Sequence, residues 1–169
     1  MRVTFGRIGE RRYEVRIERE LATDLVMSPA PGWSDLVPHD LVHLVVEHRL
    51  GLRDGIFGQI AAGGNAWTFV PTQEQRTKAW ARRVERRNHA RGTQIGRSKE
   101  LAAAVYPAWL RHRGMTPDPG RVPSGPGAAG LGERELGEVF ADLDRLSAAW
   151  SALAVGEAVH VDWPWPERR

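Results

Sequence analysis

The sequence predicts an α+β domain: a small antiparallel sheet, made of an N-terminal hairpin plus a C-terminal strand, packed against four to five helices. Three observations carry this. Val3 and Phe5, then Tyr13, Val15 and Ile17, alternate with polar neighbours around Gly9-Glu10, the period-two signature of a hairpin. The middle of the chain carries apolar residues at helical spacing, punctuated by Gly and Pro. The tail Ala158-Val-His-Val-Asp-Trp163 alternates again, and a lone strand needs the hairpin as its partner.

Each element follows in order. Residues 21–37 read as irregular, with Pro29, Pro31 and Gly32 enforcing turns. A helix is expected from Pro38, because proline lacks only an amide that would be unpaired in a first turn, and Gly51 stops it. A second short helix is expected from an Asp54 cap to Ala62, and residues 66–70 as a short strand or extended connection. Thr72 to Gln75 has the form of a capping box and opens a helix reaching Ala90. Ser98 is expected to cap the next, which runs to Arg113 with Pro107 kinking it or ending it early. Residues 114–132 are a Gly/Pro-rich loop, read as flexible. A final helix spans about 133–154, its apolar stripe running from Leu136 to Leu153, and Gly156 is expected to end it.

At 169 residues the chain suits a single domain with a real core. It has no cysteine, which removes disulfide scaffolds, thiol catalysis, cysteine-ligated zinc and iron–sulfur chemistry. No apolar run could span a bilayer, and the first residues lack the apolar region of a secretory signal, so a cytoplasmic location is expected. Dinucleotide and phosphate-loop glycine motifs are absent, as is the Gly-x-Ser-x-Gly elbow of serine hydrolases. The seven tryptophans suit core and interface packing.

The most chemically loaded stretch is Pro38-His-Asp-Leu-Val-His-Leu-Val-Val-Glu-His48. Stepping about 100° per residue, His39, His43, Glu47 and Asp40 share one narrow arc of a helix that is otherwise apolar. In so arginine-rich a chain a solvated face would carry arginine, and this arc carries none. Three readings stand side by side. The arc is plain surface, with Asp40 complementing the helix dipole. Or His39, His43 and Glu47 are ligands of a divalent metal such as zinc, since imidazoles one turn apart can reach one ion. Or His43 and Glu47 form a metal-free dyad, the carboxylate orienting the ring for proton transfer. His39 and Glu47 lie about 12 Å apart along the axis, so a metal site takes a neighbouring pair plus a ligand from elsewhere. His89, His112, His160 and Asp162 are the candidates.

This phrase, followed by Gly51-Leu-Arg-Asp-Gly-x-Phe-Gly-x-x-Ala-Ala-Gly63, resembles uncharacterised small proteins of high-GC, actinobacterial-type bacteria. The resemblance covers about residues 36–64 and a helix-to-strand ending like 146–163. It implies a bacterial origin and carries no activity and no site residues with it.

A second feature is charge. The formal net charge is +3, yet residues 76–99 alone carry +8 and the rest sum to −5. Arg76, Arg83 and Arg87 share a helix face with Trp80, and Arg86 lies beside them. Such a helix is either a solvated face or a surface for nucleic acid or another acidic partner, such as an acidic protein, gaining affinity by counterion release. Trp80 reads as a core anchor flanked by arginine stems. The functional expectation is thus a small protein with a polar His/Glu site on helix 38–50, a metal-binding or acid–base enzyme acting on a small molecule or peptide. The alternative is a non-catalytic module binding nucleic acid or an acidic partner through residues 76–99. The oligomeric state is left open.

Overall fold

The computed structural model describes residues 1–73, 77–118 and 130–168. Arg76, half of the Thr72–Gln75 box (Glu74 and Gln75) and residues 119–129 of the expected loop lie outside them. The elements are β1 (Arg2–Gly9), β2 (Arg12–Glu18), β3 (Leu25–Ala30), α1 (His39–Arg49), α2 (Ile56–Ala61), β4 (Val70–Pro71), α3 (Lys78–Ala90), α4 (Ile95–His112), α5 (Glu133–Ser151) and β5 (Ala158–Asp162). This is the α+β architecture expected from the sequence. The five strands form one antiparallel sheet in the order β4-β3-β2-β1-β5.

The hairpin and the C-terminal strand pair as their alternation requires. Val3 faces Ile17 and Phe5 faces Val15, while on the other edge of β1 the same two residues face Val161 and Val159. Val3, Phe5, Tyr13, Val15, Ile17 and Leu25 are fully buried on one face, where they join one apolar cluster with the helices. Arg2, Arg16 and Glu18 are exposed on the other face. One covered and one solvated face is the normal economy of an antiparallel sheet.

Four boundaries differ from expectation, each for a local reason. Residues 25–30 form a strand rather than irregular chain. Pro29 is accommodated because the β2–β3 register slips between Tyr13 and Val15, and Ser28 and Pro29 (joined by a cis bond) fall in that irregularity, where no ladder amide is missed. The third helix begins at Thr77, whose hydroxyl accepts from the Trp80 amide at 3.1 Å, because Thr72 is tied to the Asp24 carbonyl at the sheet edge. The fourth begins at Ile95, a turn ahead of Ser98, and runs through Pro107 to His112. The second begins after Gly55 rather than after an Asp54 cap, for a reason that belongs to the site.

α1 is the central helix. It packs against α2, α4 and α5, and its residues 41–47 are all buried, including His43 and Glu47. The polar arc of α1 is therefore not its solvated side. It faces inward, towards α4 and the start of α2. No helix among the described residues is long and apolar enough to cross a membrane.

Candidate functional site

The site is assembled from one polar stripe on α1, one serine on α4 and the first turn of α2. Glu47 is wholly buried, and its two oxygens take four hydrogen bonds. The amide of Ile56 donates to Oε1 (2.6 Å), and those of Phe57 and Gly58 donate to Oε2 (2.9 and 3.3 Å). The Ser98 hydroxyl donates to Oε1 at 2.7 Å. Glu47 thus caps α2 from another helix, taking the amides that a side chain at Asp54 or Gly55 would otherwise satisfy. Asp54 is committed to Arg168, whose Nη2 lies 2.9 Å from its Oδ1. Gly55 is required here by space: a Cβ would lie 2.5 Å from Glu47 Oε1 and 2.7 Å from Oε2.

Ser98 carries the contact onward. Its Oγ lies 3.0 Å from His43 Nδ1, and His43 Nε2 lies 3.1 Å from His39 Nε2. The four residues form one chain of hydrogen bonds, Glu47–Ser98–His43–His39, with only the last member exposed. The proton positions follow from the acceptors. An ionised Glu47 takes the Ser98 hydroxyl proton, so Ser98 accepts from His43 Nδ1–H. His43 Nε2 is then a bare acceptor and receives Nε2–H from His39. A protonated Glu47 reverses every link: it donates to Ser98, Ser98 donates to His43 Nδ1, and His43 Nε2–H points at His39.

Burial tunes the two inner groups in opposite directions. It pushes Glu47 up to about 7, against the downward pull of Ser98 and the three amides. It pushes His43 down to about 3, and the basic side chains of His39 and Lys99 beside it further disfavour a positive charge there. His43 is accordingly neutral across the physiological range, while Glu47 can exist in both states near neutrality. Asp40, beside His39, is also raised by burial, and the Tyr13 hydroxyl donates to its Oδ2 at 2.6 Å. Tyr13 also touches the Pro31 carbonyl, which anchors the loop following β3 against α1.

His39 opens onto a cleft of about 490 Å³ between that loop, α1 and α4, a size suited to a small organic molecule. Its walls are mainly apolar (Trp33, Val37, Val42, Ala102), with Ser34 and Tyr106 as polar points whose oxygens lie 3.2 Å apart. Among the described residues, no lysine, arginine or carboxylate lines it. Gly32 brings the loop onto His39: its carbonyl accepts the His39 amide at 3.2 Å, and a Cβ there would lie 2.6 Å from that of His39. Pro107 and Ala103 also line the cleft, and Pro107 has no N–H to return to the Ala103 carbonyl one turn back.

Of the sequence-predicted site residues, the structure brings together His39 and His43 directly, and His43 and Glu47 only through Ser98. A direct His43–Glu47 dyad is not formed. As metal ligands, the two imidazoles offer nitrogens 3.1 Å apart, but Glu47 is occupied by four donors behind Ser98. The suggested further ligands are engaged elsewhere. His89 pairs with Glu85, His112 lies against Phe140, His160 meets Thr4, and Asp162 binds Arg2. Among the described residues no group of three or more His, Asp or Glu side chains is disposed to hold a metal ion, whereas protein zinc sites use three or four.

Ser34, Tyr106 and Trp33 were not expected at the site from the sequence, and Ser98 was expected only as a helix cap. Ser98 had a readable signal. It precedes Leu101, Ala102 and Val105 at spacings of three, four and seven, on the buried stripe of α4, so a cap there would waste an inward-facing hydroxyl. Although Ser, His and Glu are the residue types of a nucleophilic triad, the serine here lies between acid and imidazole and is fully buried, so it links them rather than attacks.

The basic helix is also partly re-sorted. Trp80 is buried with Val84 and Asn88. Arg87 is half-buried against Gly63, where a Cβ would run into its guanidinium. Arg83 and Arg86 are exposed. No protein family matches the chain, nor does any curated protein or solved structure.

Proposed function

We propose that the protein is an acid–base catalyst acting on a small, uncharged, largely apolar molecule, with His39 as the group that exchanges a proton with it. The observation that carries this is the placement of His39: it is at once a wall of the cleft and the exposed end of a buried hydrogen-bonded chain terminating in a carboxylate. With Glu47 ionised, His39 holds its proton on Nε2, towards His43, and its Nδ1 is the basic nitrogen. A proton taken at Nδ1 releases Nε2–H to His43 Nε2. His43 passes its Nδ1 proton to Ser98, and Ser98 passes its hydroxyl proton to Glu47. The net result is a neutral His39 carrying its proton on Nδ1 and a neutral Glu47, with no cation left beside the apolar cleft. The reverse sequence returns the proton to the substrate. A buried acceptor balanced near neutrality suits this, because proton transfer is most efficient when donor and acceptor are nearly matched at the working pH.

The cleft supports the substrate class. Among the described residues it presents no fixed charge to an ionic substrate, and its polar points besides His39 are the hydroxyls of Ser34 and Tyr106. A turnover screen with neutral esters, enolisable ketones and epoxides bearing small apolar groups tests the reading, with the Trp33 indole and His39 ring NMR signals reporting occupancy. Turnover should be lost in H39Q and should fall at least about tenfold in S98A, with the pH limb near neutrality displaced. Turnover unchanged in H39Q, or no compound of this class moving the Trp33 signal, overturns it.

A further inference from the structure

A different observation, remote from the cleft, concerns Trp67. It is 53% exposed, the largest exposed aromatic among the described residues, and it stands on a backbone that L-residues avoid: Ala66 and Trp67 have φ of +47° and +60°. Two consecutive left-handed non-glycine residues need an external reason to persist. The loop is held rigid by Asn65, whose amide donates to Asn88 Oδ1 (3.0 Å), whose Oδ1 accepts from Asn88 Nδ2 (2.8 Å) and from the Trp67 amide (3.1 Å), and whose Nδ2 donates to the Phe69 carbonyl (2.7 Å). Asn88 is a buried residue of α3. The Trp67 backbone is therefore tied to that helix, and its ring centroid lies 6.0 Å from that of His89.

The outer face of α3 is the basic one. With Trp80, Val84 and Asn88 turned inward, Lys78, Arg82, Arg86 and His89 fall on one exposed stripe at spacings of four, four and three. The stripe is about 16 Å long, and Trp67 stands at its His89 end. Its one acid, Glu85, is held by His89 at 2.7 Å. We infer that this stripe and Trp67 form a binding site for single-stranded nucleic acid, the cations following the phosphates and the indole stacking on an unpaired base. Charge complementarity selects a polyanion. An exposed, planar ring on a braced backbone at the end of the stripe selects one whose bases are free to stack, which a duplex or an acidic protein does not offer. The assignment moves the aromatic role from Trp80, which is buried, to Trp67.

The test is fluorescence anisotropy of the full chain with a labelled single-stranded oligo-dT, an oligo-U and a duplex of equal length, across a salt series from low to physiological ionic strength. Single strands should bind more tightly than the duplex, with affinity falling as salt rises. W67A should weaken single-strand binding about 5- to 150-fold, and W67F should restore most of it. R82Q/R86Q should lower the slope of log affinity against log salt by about 1.4. Circular dichroism shows that each variant is folded, and should W67A misfold, the double arginine variant alone decides. Equal binding by wild type and both variants, preference for the duplex, or no salt-dependent binding overturns the assignment.

Discussion

Replacing Glu47 by glutamine separates the two things its carboxyl group does, accepting hydrogen bonds and titrating. The shape is kept. The Phe57 and Gly58 amides can still donate to the remaining oxygen, and the new amide can donate to Ser98 as a protonated acid would. Ile56 N–H, now 2.6 Å from a carboxylate oxygen, would face a second donor. One buried amide left without an acceptor costs about 1–3 kcal/mol, independently of pH. Titration adds a pH-dependent part. Burial raises the Glu47 carboxyl from 4.5 to about 7, so the native state binds its proton more tightly than the unfolded chain does. The stabilisation from that proton is fully present below the unfolded value and is lost as pH rises through the folded one. Over that window it amounts to about 3 kcal/mol. E47Q has nothing to titrate there. The excess stability of wild type over E47Q should therefore be greatest near pH 4 and shrink by about 3 kcal/mol by pH 8. Taking the difference matters because His43, whose affinity for a proton is lowered by burial, destabilises the native state as pH falls below its unfolded value, in both proteins alike. Urea unfolding followed by circular dichroism at half-unit pH intervals measures it. A difference that grows with pH would show that the four donors outweigh burial and would refute the reasoning.

Three further outcomes are expected. Gly55 has an ordinary φ of −76°, so G55A tests crowding of Glu47 alone and should cost about 3 kcal/mol or more in urea unfolding. G51A is its control, with φ +67° and nothing near its Cβ, and should cost only the backbone penalty of about 1 kcal/mol. T77A removes the cap of α3 and should lower stability by about 1 kcal/mol, a fall in melting temperature of about 2–4 °C. Purified untagged protein should melt at the same temperature with zinc added or with chelator, because the described residues present only a two-nitrogen donor set; a rise of several degrees with equimolar zinc would restore a metal to the site.

The hydrogen-bonded chain and the cleft depend on each other through α1. The residues that pack α1 into the centre of the molecule also bury His43 and Glu47, and of the four linked side chains His39 is the exposed one, beside the loop from Pro31 to Val37. A site of this kind is tuned by the stability of its surroundings. Loosening α2, whose amides hold Glu47, should admit water and return the carboxyl towards its ordinary range.

Periodicity alone was enough to delimit the hairpin, the helix at 38–50, the long helix before Gly156 and the C-terminal strand, because each buries one face and leaves the other wet. It also isolated the arc of His39, His43 and Glu47, since polar residues on an otherwise apolar helix stand out without coordinates. The direction that arc faces was beyond it. A helix apolar nearly all round can be buried on any side, and only the packing of α4 across α1 turned the arc inward and placed Ser98 between imidazole and acid. The amides that cap Glu47 come from Ile56, Phe57 and Gly58, residues with no polar side chain to advertise the contact. Likewise the arginine run was plain to read, but which of its members face outward was decided by the burial of Trp80, Val84 and Asn88, and the place of Trp67 beside them by the Asn65–Asn88 bonds. Local sequence sets spacing along an element, whereas proximity between elements is a property of the packed core.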